Sequence, residues 1–131
     1  GGAMNIPENL FYTKEHEWVS IKGREAVIGI TDHAQGSLGD ITFVDGPKLG
    51  AVVEQFKACG TIESVKAASD IFAPMSGKII KVNDELLKHP ELVNQSPYEK
   101  GFIAVMELKD EKEMSGLISA ADYRKLVESL K

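Results

Sequence analysis

Hydrophobic residues in this chain occur in short runs separated by turn residues, and only near the C-terminus do they follow a helical spacing. Short runs of valine, isoleucine and phenylalanine that end at glycine, proline, asparagine or aspartate are typical of β-strands. The pattern predicts seven strands, at residues 17–21, 26–30, 41–44, 51–54, 56–64, 77–82 and 102–108. Many short strands joined by close turns favour a mainly β domain, as a flattened barrel or a sandwich of two antiparallel sheets.

Helices are predicted to be few, and the clearest one is C-terminal. Ser119 and Asp122 have the spacing of a capping box, and apolar residues then recur at helical intervals. These apolar residues are Tyr123, Leu126, Val127 and Leu130. Thr31 and Asn83 are candidate N-caps of two further helices of about one turn. We expect the C-terminal helix to pack on the outside of the β structure.

The segment from Gly60 to Ile80 is predicted to form a β-hairpin with Lys66 at its tip. Strand character precedes the lysine and resumes at Ile71 and Phe72 and again at Ile79 and Ile80, while the small and polar residues 67–70 form the break. A lysine at such a tip projects its amine away from the sheet, where a modifying enzyme can reach it. Exposed turn lysines are common, so the pattern alone also fits a lysine that only solvates the turn.

Composition and charge fit one globular domain. The 131 residues are 43% hydrophobic and 27% charged. Residues 1–3 resemble an expression-vector remnant, which leaves residues 4–131 as a single domain. The net charge of −5 disfavours nucleic acid and an anionic membrane as partners and favours proteins.

The sequence contains no apolar run of membrane-spanning length and no export leader. We therefore expect a cytoplasmic protein.

Other residues suggest little chemistry of their own. Cys59 is the single cysteine and lies in an apolar run, so we expect a small buried hydrophobe rather than a nucleophile. His16 and His33 are distant in sequence, and no spacing of histidine, cysteine and aspartate predicts a metal site. The sequence also lacks a glycine-rich phosphate loop and a nucleophile elbow. We therefore expect neither a bound metal nor catalytic residues.

Five sequence blocks resemble the glycine cleavage system H-protein family. The run from Glu63 to Ala67, followed by residues 73–77, resembles the family's lipoyl-attachment hairpin. The other blocks follow the family's order, at residues 12–19, 28–35, 38–41 and 90–94. The resemblance extends over residues 6–123 and implies a fold of the lipoyl/biotinyl type. Biotin carriers place their lysine between two methionines, whereas valine and alanine flank Lys66 here.

The resemblance implies a carrier, not an enzyme, with lipoic acid on Lys66 in amide linkage. Such a carrier takes an aminomethyl group from a pyridoxal-phosphate glycine decarboxylase and presents it to a folate-dependent aminomethyltransferase. A dihydrolipoamide dehydrogenase then reoxidises it, and a lipoyl ligase or transferase attaches the cofactor. The resemblance also implies that Glu17 meets the amino group of the loaded arm in a cleft. Glu63 and Asp70 flank the tip, either as solvated carboxylates or as groups that the ligase recognises.

Two other functions stay open at this point. The chain could be a lipoyl donor or relay for 2-oxoacid dehydrogenase complexes, or an unmodified interaction module with the same fold. A long arm that visits several active sites suits a monomer. The last predicted strand departs from the family, with Phe102 for a tryptophan and with Val105 and Glu107 where basic residues are common. Gly46 and Gly36 are further departures. We therefore expect a variant H protein whose docking to the decarboxylase is altered.

Overall fold

Two antiparallel β-sheets form the body of the protein in a computed structural model that describes residues 4–130. The larger sheet has six strands in the order β1-β2-β3-β9-β8-β5, and the smaller has three in the order β4-β6-β7. The strands are β1 (Phe11–Tyr12), β2 (Glu17–Lys22), β3 (Glu25–Ile30), β4 (Ile41–Asp45), β5 (Val52–Val53), β6 (Ala58–Ser64), β7 (Ala68–Phe72), β8 (Gly77–Val82) and β9 (Ala104–Leu108). The predicted mainly β sandwich is confirmed. The predicted vector remnant at 1–3 lies outside the described residues.

Short helices decorate the sheets, as predicted. They are α1 (Asp32–Leu38), α2 (Glu85–Lys88), α3 (Leu92–Gln95) and α4 (Ala120–Ser129), with a 3-10 helix at Glu111–Gly116. The predicted caps Thr31 and Ser119 are confirmed, because their hydroxyls accept hydrogen bonds from the amides of Ala34 and Asp122, both at 3.2 Å. No helix in the described part of the chain has the length and apolar character that crossing a membrane requires.

The main core lies between the two sheets and follows the alternation of side chains along the strands. In β2, for example, Val19 points inward and is fully buried, whereas its neighbour Trp18 points to the opposite face. Trp18 packs there against Gly29 of β3, where a Cβ atom would lie 2.6 Å from the indole ring. A glycine is thus required at this position for the tryptophan to lie flat on the sheet.

Helix α4 covers that opposite face of the larger sheet, as predicted. The rings of Tyr12 and Tyr123 stack with centroids 4.5 Å apart, and Val127 completes the contact. Leu130, which the helical spacing placed in the same apolar stripe, is 56% exposed. The helix ends at Ser129, and Leu130, its C-cap residue, belongs to neither buried cluster of the described residues.

The predicted hairpin is correct at its tip and wrong at its far end. Strands β6 and β7 pair with Glu63 opposite Ala68 and Thr61 opposite Asp70, so the small residues predicted as the break already belong to β7. Small side chains do not prevent pairing, because backbone groups make the hydrogen bonds. After Phe72 the chain crosses to the larger sheet, where β8 contains Ile79 and Ile80.

Asn83 does not cap helix α2 as predicted. Its side-chain amide donates instead to the carbonyl oxygens of Lys100 and Phe102, each at 2.8 Å. An asparagine amide has two donors, and these two carbonyls lie in the irregular segment before β9. The non-local contact replaces the local cap, and Asp84 becomes the N-cap residue without a side-chain hydrogen bond.

Candidate functional site

Lys66 lies exposed at the tip of the β6–β7 hairpin, as predicted. The hydroxyl oxygen of Ser64 accepts hydrogen bonds from the amides of Lys66 (3.3 Å) and Ala67 (3.1 Å). The Ser64 amide donates to the Ala67 carbonyl at 2.8 Å, and the Val65 amide donates to the Asp40 carbonyl at 3.0 Å. The tip is therefore fixed by the serine hydroxyl and by one contact to a neighbouring loop, with no glycine and no positive φ in the turn.

The stem of the Lys66 side chain passes over Gly39, which ends helix α1. A Cβ atom on Gly39 would lie 3.4 Å from Cε of Lys66, and the glycine has φ +81°, a conformation that side chains rarely adopt. Ala67 and Ala68 follow the lysine and are exposed. The residues around the lysine are thus small, and they leave space for a group attached to its amine.

Glu63 and Asp70 lie on the outer face of the smaller sheet, behind the tip. Ile62 and Ile71, their sequence neighbours, are 1% exposed and point inward, so Glu63 and Asp70 point to solvent. The pairing of Thr61 with Asp70 makes the two carboxylates diagonal neighbours on adjacent strands. Both are exposed, and a visiting protein can reach them.

Glu17 is buried, with 2% of its surface exposed, at the first position of β2. One carboxylate oxygen accepts a hydrogen bond from the Thr13 hydroxyl, and the other accepts one from the Phe72 amide at 3.2 Å. Burial raises the pKa of Glu17 to about 7, and the hydrogen bonds from Thr13 and Phe72 oppose this effect. Within residues 4–130, Glu17 belongs to no ion pair. It is thus a buried carboxylate whose charge is not balanced by a neighbouring cation.

A cleft of about 380 Å³ opens above Glu17. Four separate parts of the chain form it: residues 13–15 with Glu17, then Phe56, then Phe72, and finally Gly116 with Ile118. Phe72 ends strand β7, and Asp70 lies two residues nearer the tip on the same face of that strand. Strand β7 runs roughly 13 Å from Ala68 to Phe72 at the usual rise per residue, and Lys66 lies in the turn beyond its start. A bare lysine side chain does not reach the cleft, but a long group on its amine would extend toward it past Asp70.

Phe56 lines the cleft in an unusual backbone conformation that the sequence did not predict. Its φ is +66°, and the Lys57 amide bonds to the Glu54 carbonyl at 3.1 Å. These features describe a turn with positive φ at its third residue, the place where type II turns favour glycine. The segment Glu54-Gln55-Phe56-Lys57 contains neither glycine nor asparagine, so no sequence signal identified the turn.

His16 and His33, distant in sequence, lie together in the structure. Their ring centroids are 4.5 Å apart, and Nδ1 of His16 lies 2.8 Å from the Tyr123 hydroxyl. That hydroxyl lies 2.7 Å from the Thr31 hydroxyl, so the side chains link β2, α1 and α4. Burial, followed by the proximity of His33, lowers the pKa of His16 to about 4. The neutral His16 ring has a packing role next to Glu17.

Cys59 is partly buried against the main core, in keeping with its predicted role. Burial raises the pKa of its thiol to about 11, and the nearby charge of Glu17 adds to this effect. A thiol needs a lowered pKa to react as a thiolate near neutral pH. Cys59 therefore lacks the environment of a nucleophile.

Val105 and Glu107 lie on the larger sheet, on the face turned away from the main core. Glu107 is exposed and stands opposite Lys78 of β8 and Glu25 of β3, and Val105 stands opposite Val27. This position is on a different sheet from the hairpin. A partner that contacts these two residues binds a surface separate from the outer face of β6 and β7.

Comparisons with known proteins agree on one family. The model of the glycine cleavage H-protein family matches residues 10–130. The chain is 48% identical over 124 residues to the glycine cleavage system H protein of Endomicrobium trichonymphae, covering 95% of this chain and 100% of that protein. It is 50% identical over 123 residues to the H protein of Bacillus cereus strain B4264, covering 94% and 97%. A crystal structure of the H protein from Mycobacterium marinum superposes with TM-score 0.80 at 32% identity, covering 92% of this chain and 97% of that one.

Proposed function

Because this chain belongs to the glycine cleavage H-protein family, we propose that it is a lipoyl-carrying shuttle of the glycine cleavage system. We assign the attachment site to Lys66. A lipoyl group supplies a redox-active disulfide that accepts and releases an aminomethyl group. The observation that carries the assignment is an exposed lysine at the tip of a hairpin whose last residue, Phe72, donates its amide to the buried carboxylate of Glu17 from the other sheet.

Lys66 suits the attachment because of its surroundings. The amine is displayed on a turn held by Ser64, and the alanines after it are small. Conversion of the amine to an amide removes its positive charge, so the tip becomes neutral and the arm can leave water for a partner's active site. The space over Gly39 accommodates the stem without a change in the backbone.

Glu17 suits the recognition of a primary amine at the far end of the arm. Its carboxylate is buried and belongs to no ion pair among residues 4–130, so a cationic amine would supply the missing charge. A hydrogen bond between a charged amine and a carboxylate is stronger than one between neutral groups. Held as an ammonium ion, that nitrogen would have no free lone pair to expel the neighbouring sulfur, so this route to the release of ammonia would be closed.

Asp70 and Glu63 are proposed as recognition residues. Asp70 lies between Lys66 and the cleft on the outer face of β7, so an arm that folds back passes this carboxylate. Glu63 lies on the same face of β6, where a lipoyl ligase or transferase that approaches the tip would meet both charges. The other proposed partners are glycine decarboxylase, the aminomethyltransferase and dihydrolipoamide dehydrogenase.

Intact mass after expression with lipoate and a lipoyl ligase tests the attachment site. We expect the wild-type chain to gain one lipoyl group and Lys66→Arg to gain none. Lys57→Arg is the matched control, since Lys57 is also an exposed turn lysine, and it should be lipoylated like the wild type. A Lys66→Arg chain that carries lipoate would remove the assignment.

Two assays on the lipoylated protein then distinguish the two possible uses of the cofactor. Exchange of bicarbonate into glycine with a glycine decarboxylase supports the shuttle. Transfer of lipoate from Lys66 to an apo acyltransferase domain, without that exchange, would instead indicate a donor for 2-oxoacid dehydrogenase complexes.

A further inference from the structure

We propose that Phe56 is a positioning residue of the cleft, whose ring covers the site beside Glu17 and retains an amine-loaded arm there. This inference rests on the proposed function, because it assigns a role within the same cleft. It concerns a side chain that neither the sequence blocks nor the turn signals identified.

The backbone of Phe56 is held in a conformation that disfavours a bulky side chain. Left-handed φ values are uncommon outside glycine, and a large aromatic residue there is an outlier. Hydrogen bonds on both sides hold it in place. The Phe56 amide donates to the Ala73 carbonyl at 2.7 Å, and the preceding Gln55 side chain donates to the carbonyls of Pro74 (3.0 Å) and Glu113 (2.9 Å). The surrounding structure therefore forces this conformation, which is a pattern typical of functional sites.

Core packing does not explain the phenylalanine. The side chain is 51% exposed and belongs to neither buried cluster of the described residues. One edge of the ring rests on Gly116, whose added Cβ would lie 3.4 Å from Cζ. The rest of the ring faces the cleft, together with Phe72. A residue that is both strained and half-exposed contributes little to the fold, and its remaining contact surface is available to a ligand.

An aromatic wall at this position fits the two chemical parts of the arm. Sulfur atoms make favourable contacts with aromatic rings, so Phe56 offers a surface for the sulfur end. The ring also excludes water from the space above Glu17, and a lower local dielectric strengthens the attraction between a carboxylate and an ammonium group. Phe56 thus acts on the arm directly and on the Glu17 contact by shielding it.

The test compares Phe56→Gly and Phe56→Ala in protein that is lipoylated and then loaded with glycine and glycine decarboxylase. Both variants lack the ring, but only alanine is strained at positive φ. We expect the apo Phe56→Gly chain to melt about 3 to 5 °C above Phe56→Ala. Both loaded variants should release ammonia about three- to tenfold faster than the wild type, in spite of their different stabilities. A purely structural role would instead make the release rate follow stability.

Fluorine NMR gives a readout that does not depend on activity. In protein labelled with fluorophenylalanine, the Phe56 signal, assigned by its absence in Phe56→Gly, should shift when the arm is loaded.

Phe43→Ala is the matched control for the ammonia-release assay, because Phe43 is 45% exposed but lies outside this cleft. Its ammonia release should equal that of the wild type.

The outcomes distinguish this inference from the proposed function. If the wild-type protein can be loaded but the Phe56 variants release ammonia at the wild-type rate, the role of Phe56 is contradicted. The proposed shuttle function is not affected by that result. A Phe56 signal that does not move on loading would contradict it as well. A wild-type chain that accepts no lipoate contradicts the proposed function and this inference together.

Discussion

The hairpin tip and the cleft contribute to one site, but they are built in different ways. The tip is held by hydrogen bonds among neighbouring residues from Ser64 to Ala67 and by one contact to Asp40. The cleft brings together four parts of the chain, from Thr13 near one end to Ile118 near the other. An exposed amine needs only a turn, whereas a buried carboxylate with a raised pKa needs a complete fold around it. Changes at the tip should therefore alter function alone, and changes in the cleft should alter function and stability together.

The largest effect in the cleft is expected from Glu17→Ala. Loss of a hydrogen bond to a charged group should increase ammonia release from the loaded protein about ten- to hundredfold. Lipoylation at Lys66 should not change, because the tip does not depend on Glu17. Ammonia release can be followed after removal of the decarboxylase. Glu54→Ala, which removes an exposed carboxylate outside the cleft, should behave like the wild type, and equal release from Glu17→Ala and wild type would argue against the contact.

Glu17 should also make stability depend on pH. Its pKa is about 7 in the folded protein against 4.5 as the ordinary value, so folding favours the protonated form. Below the ordinary value both states are protonated and no cost arises. As the pH rises from 4.5 through 7, the burial of this carboxyl group lowers the free energy of unfolding by about 3 kcal/mol.

Glu17→Gln removes that cost. Urea unfolding at about pH 4.5 and about pH 8 should show the variant gaining about 3 kcal/mol relative to the wild type between the two conditions. The titration of His16 is common to both proteins and cancels in the difference. A difference between variant and wild type that is the same at both pH values would indicate that Glu17 has an ordinary pKa.

Smaller effects are expected on the outer face of the smaller sheet. Asp70→Asn and Glu63→Gln should each lower the second-order rate of lipoylation a few-fold at low salt, since rim charges mainly influence association. The effect should shrink at high salt through screening. Glu25→Gln, an equally exposed charge on the other sheet, is the control. If all three variants are lipoylated at the same rate, Glu63 and Asp70 are only solvated carboxylates.

The smallest effect is expected on β9 of the larger sheet, outside the tip and the cleft, at Val105→Lys and Glu107→Lys. These changes restore basic side chains on the larger sheet, and they should improve loading by a glycine decarboxylase modestly, through faster association. Lipoylation and ammonia release should not change. If loading kinetics are the same with and without the lysines, this surface takes no part in docking.

The sequence predicted best what short stretches of chain determine. Thr31 and Ser119 cap their helices because a hydroxyl and the amide three residues later are close in any helix start. Lys66 lies at its tip for a similarly local reason. The conformation of Phe56 could not be predicted, because glycine and asparagine are absent from its turn and distant carbonyls hold it. The burial of Glu17 depends on strands far apart in sequence, and family resemblance indicated its position but not its pKa.

The hydrogen bond from the Phe72 amide to Glu17 has a further consequence for solubility. Strand β7 is the edge of the smaller sheet, and this amide points away from its partner strand β6. Open amides on edge strands are places where another molecule can add a strand and start aggregation. The Glu17 carboxylate occupies this one and places a charge beside it. The hydrogen bond to Glu17 thus leaves one donor fewer for an added strand at the edge of β7, whether or not the chain carries a cofactor.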